Sequence, residues 1–530
     1  MALPKISSPN AKGSSVRNLF FYLALMFLSS PLGAEVVPAF LFQDNAVLQR
    51  DKPIPVWGTA APGERVSVAF AGKAATATAD AAGKWRVDLP AMPANATPAQ
   101  LVITGMNTVT LRNILVGEVW LASGQSNMLQ MVNETYDAAL DIPASVRYPM
   151  IRHIKVEHQT AYAPMTTAKG AWKVAGPETT GEFSAIAYYF ARALQDNLAI
   201  PIGIIHSSQG ASRIMTWMDP ATCLAKSTDP DLKSILEERD KKLAEYPAVK
   251  AKLDADIAKW EAAKKAAEVA KQPFNDQRPG YGWAGTPGGP DDMFIASCHY
   301  NGMIHPLIPY ALRGTIWYQG EGDAGLTVYY AKAFPALITG WRTLFAQGDF
   351  PFYWVQLSSC GDPAGTNSAF LRESQTKTLS LPNTGQALSF DLGQRGNIHP
   401  KRKAEVGRRL ARIALARTYG QKIVDSGPEV EQIVREGAGF RVRFKSPNGS
   451  YSISAAVEPV TGFELAGEDQ VFKPAIGVIG DRETSVLVTS AEVPEPVAVR
   501  YGWHDFTVPG LVHHDEGLPV APFRSDIWTR

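Results

Sequence analysis

Val116-Gly-Glu-Val-Trp-Leu-Ala-Ser-Gly-Gln-Ser-Asn-Met128 is the stretch on which the fold turns. An apolar run, Val119 to Ala122, stops abruptly at Ser123-Gly124. It reads as a buried strand ending in a turn. Gln125, Ser126 and Asn127 follow, all polar. A serine just past the carboxyl end of a buried strand stands where open α/β sheets carry their chemistry. A plain strand-to-helix loop with a capping serine fits these residues equally well. The rest of the chain has to separate the two.

Downstream of Asn113, strands alternate with helical stretches, which predicts a parallel sheet. The expected strands are Val119 to Ala122, Ile202 to His206, Gly314 to Tyr318, Phe352 to Leu357 and Ala387 to Phe390. Phe183, Ile186, Phe190, Leu194 and Leu198 recur three or four apart, one apolar helix face. Val406, Leu410, Ile413 and Ala414 mark a second helix, stopped at Gly420. Each strand runs into polar or glycine-rich residues. They are Ser126-Asn127, Ser207-Ser-Gln-Gly210, Gln319-Gly-Glu-Gly-Asp323, Ser358-Ser359, and Asp391 through His399-Pro400. If the strands are parallel, all these ends meet on one rim.

That rim holds what acyl transfer needs. A serine hydroxyl is a weak nucleophile and requires a base, which itself requires an orienting group. Ser126 is the candidate nucleophile and His399 the candidate base, with Asp391 the nearest upstream carboxylate to orient it. Pro400 suits a first helical turn, so His399 is expected just before a helix N-terminus, which favours neutral imidazole. The expected oxyanion donors are the Ser126 and Gly210 backbone N–H groups and the Gln319 amide. Gln125, Asn127, Glu321 and Asp323 are candidates for substrate binding. Glu321 and Asp323 also admit a paired-carboxylate site of the glycosidase kind. That reading ranks lower because it leaves the serine and histidine unexplained. The G-x-S-x-G elbow of α/β-hydrolases is absent, since Gly124-Gln-Ser126-Asn-Met128 lacks its second glycine.

At 530 residues the chain is too long for one ordinary domain. A net charge of +1 argues against nucleic acid or an anionic membrane as the main partner. Lys5, Lys12 and Arg17 precede an apolar core from Leu19 to Leu28, and small residues lead to Gly33-Ala34. Residues 1–34 therefore read as a signal peptide, and the mature chain as secreted or periplasmic without an integral membrane segment. An uncleaved anchor is the runner-up. Residues 35–112 read as a small β-sandwich-like domain with strands at Ile54 to Trp57, Val66 to Ala69, Trp85 to Leu89 and Leu101 to Thr104. The catalytic α/β domain is expected over 113–420, interrupted by an insertion at about 220–290. That insertion reads as two charged helices broken at Pro247, then a Gly/Pro-rich loop carrying Tyr281 and Trp283 that serves as a lid or a spacer. Residues 421–530 read as a second β-rich domain. Of the three cysteines, Cys223 and Cys298 flank the insertion and are placed to close it with a disulfide, leaving Cys360. No cysteine or histidine cluster points to a metal, and no cofactor is expected.

Taken together, these residues resemble the sialate O-acetylesterase family within the SGNH (GDSL-like) hydrolases. The resemblance rests on Gly117 to Met128, Pro201-Ile-Gly-Ile-Ile205, Tyr300-Asn-Gly-Met-Ile304, Trp317-Tyr-Gln-Gly-Glu321, and Ile398-His-Pro400 running into Val406 to Leu410. Ala46 to Arg50, Ile54 to Gly58 and Gly83 to Trp85 resemble the family's leading β domain. Val499-Arg-Tyr501, Gly517-Leu-Pro519 and Pro522-Phe-Arg524 resemble its closing segment. The resemblance implies a flavodoxin-like SGNH core and a metal-free serine esterase acting on O-acetylated sugars or glycans, sialate esters foremost. Esters of xylan or another polysaccharide, and a non-catalytic sugar-binding protein, are the alternatives. Two departures bear on the cleft. Gly322 stands where the family usually has serine, and His206-Ser-Ser-Gln-Gly210-Ala211 replaces an asparagine with paired glycines. Gly396 stands where many SGNH enzymes place the acid three residues before the histidine. Asp391 is the acid by this reading, and a Ser–His dyad assisted by Asn397 is the alternative.

Overall fold

Val119, Trp120, Leu121 and Ala122 are fully buried in the computed structural model, in the carboxyl half of a strand spanning Thr108–Gly124. The structure describes residues 35–224, 228–361, 365–445, 453–455, 458–480, 484–508 and 510–528. The expected signal peptide lies outside them. On one side of the Thr108–Gly124 strand lies Ile202–Ser208, then Ile151–Lys155, both parallel to it. On the other side Gly314–Tyr318, Phe352–Val355 and Thr384–Ala387 continue the parallel sheet. Trp172–Val174 adds an antiparallel edge to Ile151–Lys155. After the central strand the chain lays down the outer strands of one side, returns inward to Ile202–Ser208, and then builds outward on the other side. The strand-order reversal falls at the end of the central strand, where such sheets open a crevice.

Both faces of the sheet are covered. Helices Ala185–Leu198 and Lys403–Ile413 pack together on one face. Gly407 permits this: a Cβ there would lie 2.6 Å from the Tyr189 Cβ. Trp120 meets this layer through Phe190, with ring centroids 5.0 Å apart. On the opposite face Trp317 packs against Trp341 at 5.7 Å and against Phe334, both on helix Thr327–Phe345. Burial on both faces explains why these strands are continuously apolar rather than alternating.

The amino half of the 17-residue central strand belongs to a different neighbourhood. It pairs antiparallel with Asn95–Thr104 and parallel with Val47–Gln49. The expected boundary at 112/113 therefore falls inside a strand that carries both layers. Glu118 ties the layers together. Its buried carboxylate accepts from Arg313 Nε at 2.6 Å and from Arg50. Burial alone would raise this carboxyl, but the two guanidiniums outweigh it and hold it below the usual range.

Past residue 428 an antiparallel sheet runs from Glu429–Glu436 and Gly439–Lys445 through Lys473–Ile479 to Ala498–Tyr501. Arg372 binds the closing segment to the rim of the central sheet. It donates to the Leu357 carbonyl at 3.0 Å and to the His504 carbonyl at 2.7 Å.

Three expectations are corrected. The insertion carries one continuous helix, Pro230–Val269, with Pro247 inside it. Pairs such as Lys250–Asp254 and Lys252–Asp256 lie along it, at the four-residue spacing that supports a solvated helix. Cys223 and Cys298 are not joined, and all three cysteines are thiols. The last strand is Thr384–Ala387 and ends where the sequence suggested it would begin, because Phe390–Leu392 forms a tight turn. Among the described residues no helix is long and apolar enough to cross a membrane.

Candidate active site

Ser126 opens a short helix, Ser126–Leu129, directly past the central strand. The turn into it requires Gly124. Its φ is +133°, and a Cβ there would lie 2.1 Å from the Tyr318 carbonyl oxygen. Ser126 is half-buried, while Gln125 and Asn127 on either side are buried.

Asn127 connects the serine to the histidine. Its Nδ2 donates to the Ile398 carbonyl at 3.0 Å and to the Glu321 carboxylate. Its Oδ1 accepts from the Lys403 ammonium. The residue after Ser126 is thereby hydrogen-bonded to the residue before His399. Among the described residues the Ser126 hydroxyl and the His399 imidazole share no hydrogen bond.

His399 is half-buried. Burial, and after it the nearby Lys403 ammonium, hold its imidazole below the ordinary value of 6.5, with Glu134 opposing. The ring is neutral at pH 7, which a general base requires. The helix end contributes less than expected. Pro400 does not open the helix, whose first residue is Lys403. Asn397 fixes the loop by accepting the His399 backbone N–H at 2.9 Å.

Gly210 faces the serine: a Cβ there would stand 3.7 Å from the Ser126 Cβ. Among the described residues neither the Ser126 nor the Gly210 backbone N–H meets an acceptor. Two unspent donors beside a hydroxyl suit an oxyanion. Gln319 is placed differently from expectation. Its Nε2 already donates to the Ser212 carbonyl at 3.1 Å and to Asp323 at 2.6 Å. Both amide hydrogens are spent, so it shapes the 210–214 loop instead of offering a third donor.

The remaining candidates are also turned inward. Gln125 Oε1 accepts from the Gly320 and Gly322 N–H groups at 3.3 and 3.2 Å. Asp323 accepts from Gln319 and from the Ile214 N–H at 2.9 Å, and burial pushes its carboxyl up to about 6. Glu321 is turned to Asn127, and burial raises its carboxyl too. The two acids address different partners, Asn127 and the 212–214 loop with Gln319. Gly322 and the 206–211 departure adjoin each other: a Cβ at 322 would lie 3.4 Å from the Ala211 carbonyl oxygen.

Asp391 gives both carboxylate oxygens to Arg409, at 2.7 and 2.6 Å. Among the described residues it forms no hydrogen bond to His399, so the acid expected to orient the imidazole is engaged elsewhere. Lys403 was missed. It is 1% exposed, lies over the Tyr318 ring, and burial pushes its ammonium down to about 7. The signal was present: Lys403 precedes Val406 by three and Leu410 by seven, on the same helix face.

Comparison with known proteins gives the family. The family model for carbohydrate esterase, sialic acid-specific acetylesterase, matches residues 297–416, which include Gln319 and His399. A carbohydrate acetylesterase from Xanthomonas citri, known as a crystal structure, is 34% identical with a TM-score of 0.76, covering 93% of this chain and all of that one. The chain belongs to the sialate O-acetylesterase family of carbohydrate esterases. The sialate O-acetylesterase of Rattus norvegicus is 29% identical over 92% of this chain and 94% of its own length. That of Homo sapiens is 28% identical over 92% and 91%. The protein is thus a carboxylic ester hydrolase, and the alternative of a non-catalytic sugar-binding protein falls away.

The Asp391–Arg409 pair gives this esterase a testable division of labour. Asp391→Asn is expected to lower stability by roughly 1–3 kcal/mol, because it leaves a buried guanidinium underpaired. Its kcat/KM should fall far less than that of His399→Ala. Thermal melting beside an aryl acetate assay checks this. A catalytic loss equal to that of His399→Ala would show that the carboxylate serves the imidazole.

Proposed function

We propose that this esterase releases acetate from O-acetylated sugars through an acetyl-enzyme on Ser126, with His399 as general base. The observation that carries the reading is the Asn127–Ile398 hydrogen bond, which brings the two loops onto one rim. Unliganded sites commonly hold such pairs loosely and tighten when substrate enters. His399 takes the Ser126 proton as Oγ attacks the acetyl carbonyl. The Ser126 and Gly210 N–H groups receive the oxyanion. Collapse expels the sugar alkoxide, which takes the proton from the imidazolium. Water, deprotonated by His399, then attacks the acetyl-enzyme, releasing acetate and restoring Ser126. Asn397 and the neighbouring charges position the ring, a dyad in which Asp391 supports the fold through Arg409.

In this reading residues 113–420 form a flavodoxin-like SGNH catalytic domain between an N-terminal β domain, 35–112, and a C-terminal β-rich domain, 421–530. The first 34 residues serve as an export signal and place the enzyme outside the cytoplasm. O-acetylated sialic acids are the leading substrate. Acetylated xylan or a related polysaccharide is a second reading, since the Xanthomonas citri relative is a carbohydrate acetylesterase with no one sugar specified. Acetate release from a panel of acetylated sialic acids and acetyl-xylan separates the two. Labelling with an organophosphonate should place the adduct on Ser126 and remove activity in proportion. Full labelling with acetate release retained would overturn the mechanism.

A further inference from the structure

Ser208 ends the strand beside the central one and pairs in register with Gly124. It is 5% exposed, and its Oγ lies 2.6 Å from His206 Nε2. The His206 ring is buried, and its Nδ1 has no hydrogen-bond partner. Burial pushes His206 down to about 3, so its imidazole is neutral and carries one N–H. A proton on Nδ1 would be an orphaned buried donor, costlier than an orphaned acceptor. The proton therefore sits on Nε2 and donates to the Ser208 Oγ. The Ser208 hydroxyl proton is left for another acceptor, and among the described residues none is in reach.

Ser208 lines a cavity of about 660 Å³ together with Leu129, Gln209, Lys155 and Lys173. The cavity adjoins the nucleophile. Leu129 closes the helix that Ser126 opens. The Gln209 N–H donates to the Gly124 carbonyl at 3.1 Å, and the next residue, Gly210, stands against Ser126. The volume lies within the range of roughly 300–1,000 Å³ typical of small-ligand sites. The charges on its wall offset one another. Lys173 pairs with Glu182 at 2.6 Å, and Lys155 shares the wall with Glu157. Recognition of a polyhydroxylated ring therefore falls to hydrogen bonding.

We propose that Ser208, oriented by His206, is a specificity-determining residue that donates a hydrogen bond to a ring or hydroxyl oxygen of the sugar whose acetyl group lies at Ser126. The proposal rests on the Ser126 reading and assigns Ser208 no bond-making role. Its donor direction is built in by a histidine that cannot turn its proton elsewhere.

The test compares the unsubstituted enzyme with Ser208→Ala and Ser208→Thr on two esters. One is p-nitrophenyl acetate. The other is an O-acetylated sialic acid or an acetylated xylo-oligosaccharide, whichever the unsubstituted enzyme turns over better. Ser208→Ala is expected to raise KM for the sugar ester about tenfold with kcat retained, lowering the ratio of sugar-ester to aryl-ester kcat/KM about tenfold. Ser208→Thr keeps the hydroxyl and should restore most of that ratio. Parallel losses on both esters, or a ratio that does not move, would overturn the proposal. Ser126→Ala is run alongside. Turnover retained there would overturn the nucleophile assignment and this proposal with it, whereas full Ser126 dependence with an unmoved ratio overturns the Ser208 role alone.

Discussion

Ser126→Ala is expected to lower kcat/KM for an aryl acetate by about 10⁴-fold or more while leaving the melting temperature nearly unchanged. The chemical loss follows from removing the atom that accepts the acetyl group in the proposed mechanism. The Ser126 and Gly210 N–H donors survive the substitution because both are backbone. A residual rate above that of water is therefore expected, from oxyanion stabilisation of direct attack by water. The fold should tolerate the change for a separate reason. Ser126 is half-buried, and among the described residues its side chain holds no hydrogen bond. Deleting it strands no buried partner, which is the usual source of a large stability loss. A turnover assay beside thermal melting checks both halves. Turnover at the level of the unsubstituted enzyme, with the fold intact, would remove Ser126 from the reaction.

The sequence pattern reached the sheet more readily than the side-chain partnerships. Val119 to Ala122 announced a strand because both faces of the sheet are covered and every residue had to be apolar. Ile151–Lys155 carried no such signal, since Arg152 and His153 are buried polar residues inside it and make the segment read as exposed. Trp172–Val174 is too short to register a period. Pro247 suggested a helix break, yet one lost hydrogen bond does not stop a 40-residue helix. In the candidate site, Ser126, Gly210 and His399 were legible as residues following strand ends. The inward hydrogen bonds of Gln125, Gln319 and Asp323 were not. Which way a buried amide or carboxylate turns is set by loops meeting from distant parts of the chain. Asp391 shows the same limit. The nearest acid upstream of His399 is taken by Arg409, whose helix brings it within 2.6 Å.

His399→Ala is expected to cost about as much as loss of the serine, again about 10⁴-fold or more in kcat/KM, because a hydroxyl without its base is a poor nucleophile. The pH profile gives this prediction a second, independent edge. Only neutral imidazole can take the Ser126 proton, so kcat/KM must fall as pH drops through the His399 value in the folded enzyme. Burial and the Lys403 ammonium place that value below 6.5. The acid limb should therefore lie to the acid side of 6.5, and activity at pH 7 should sit on the plateau. The alkaline side tests the neighbour. The Lys403 ammonium, pushed down to about 7, loses its proton within the working range. As it does so, one positive charge leaves the vicinity of His399 while the imidazole is already neutral, so an alkaline change centred near 7 reports on Lys403 and its bond to Asn127 rather than on the base. Aryl acetate kinetics between pH 4 and 9, with His399→Ala as the reference, should resolve the acid limb in the unsubstituted enzyme and show none in the variant. An acid limb of the same midpoint persisting in His399→Ala would assign the titrating group to another residue and take the general base away from His399.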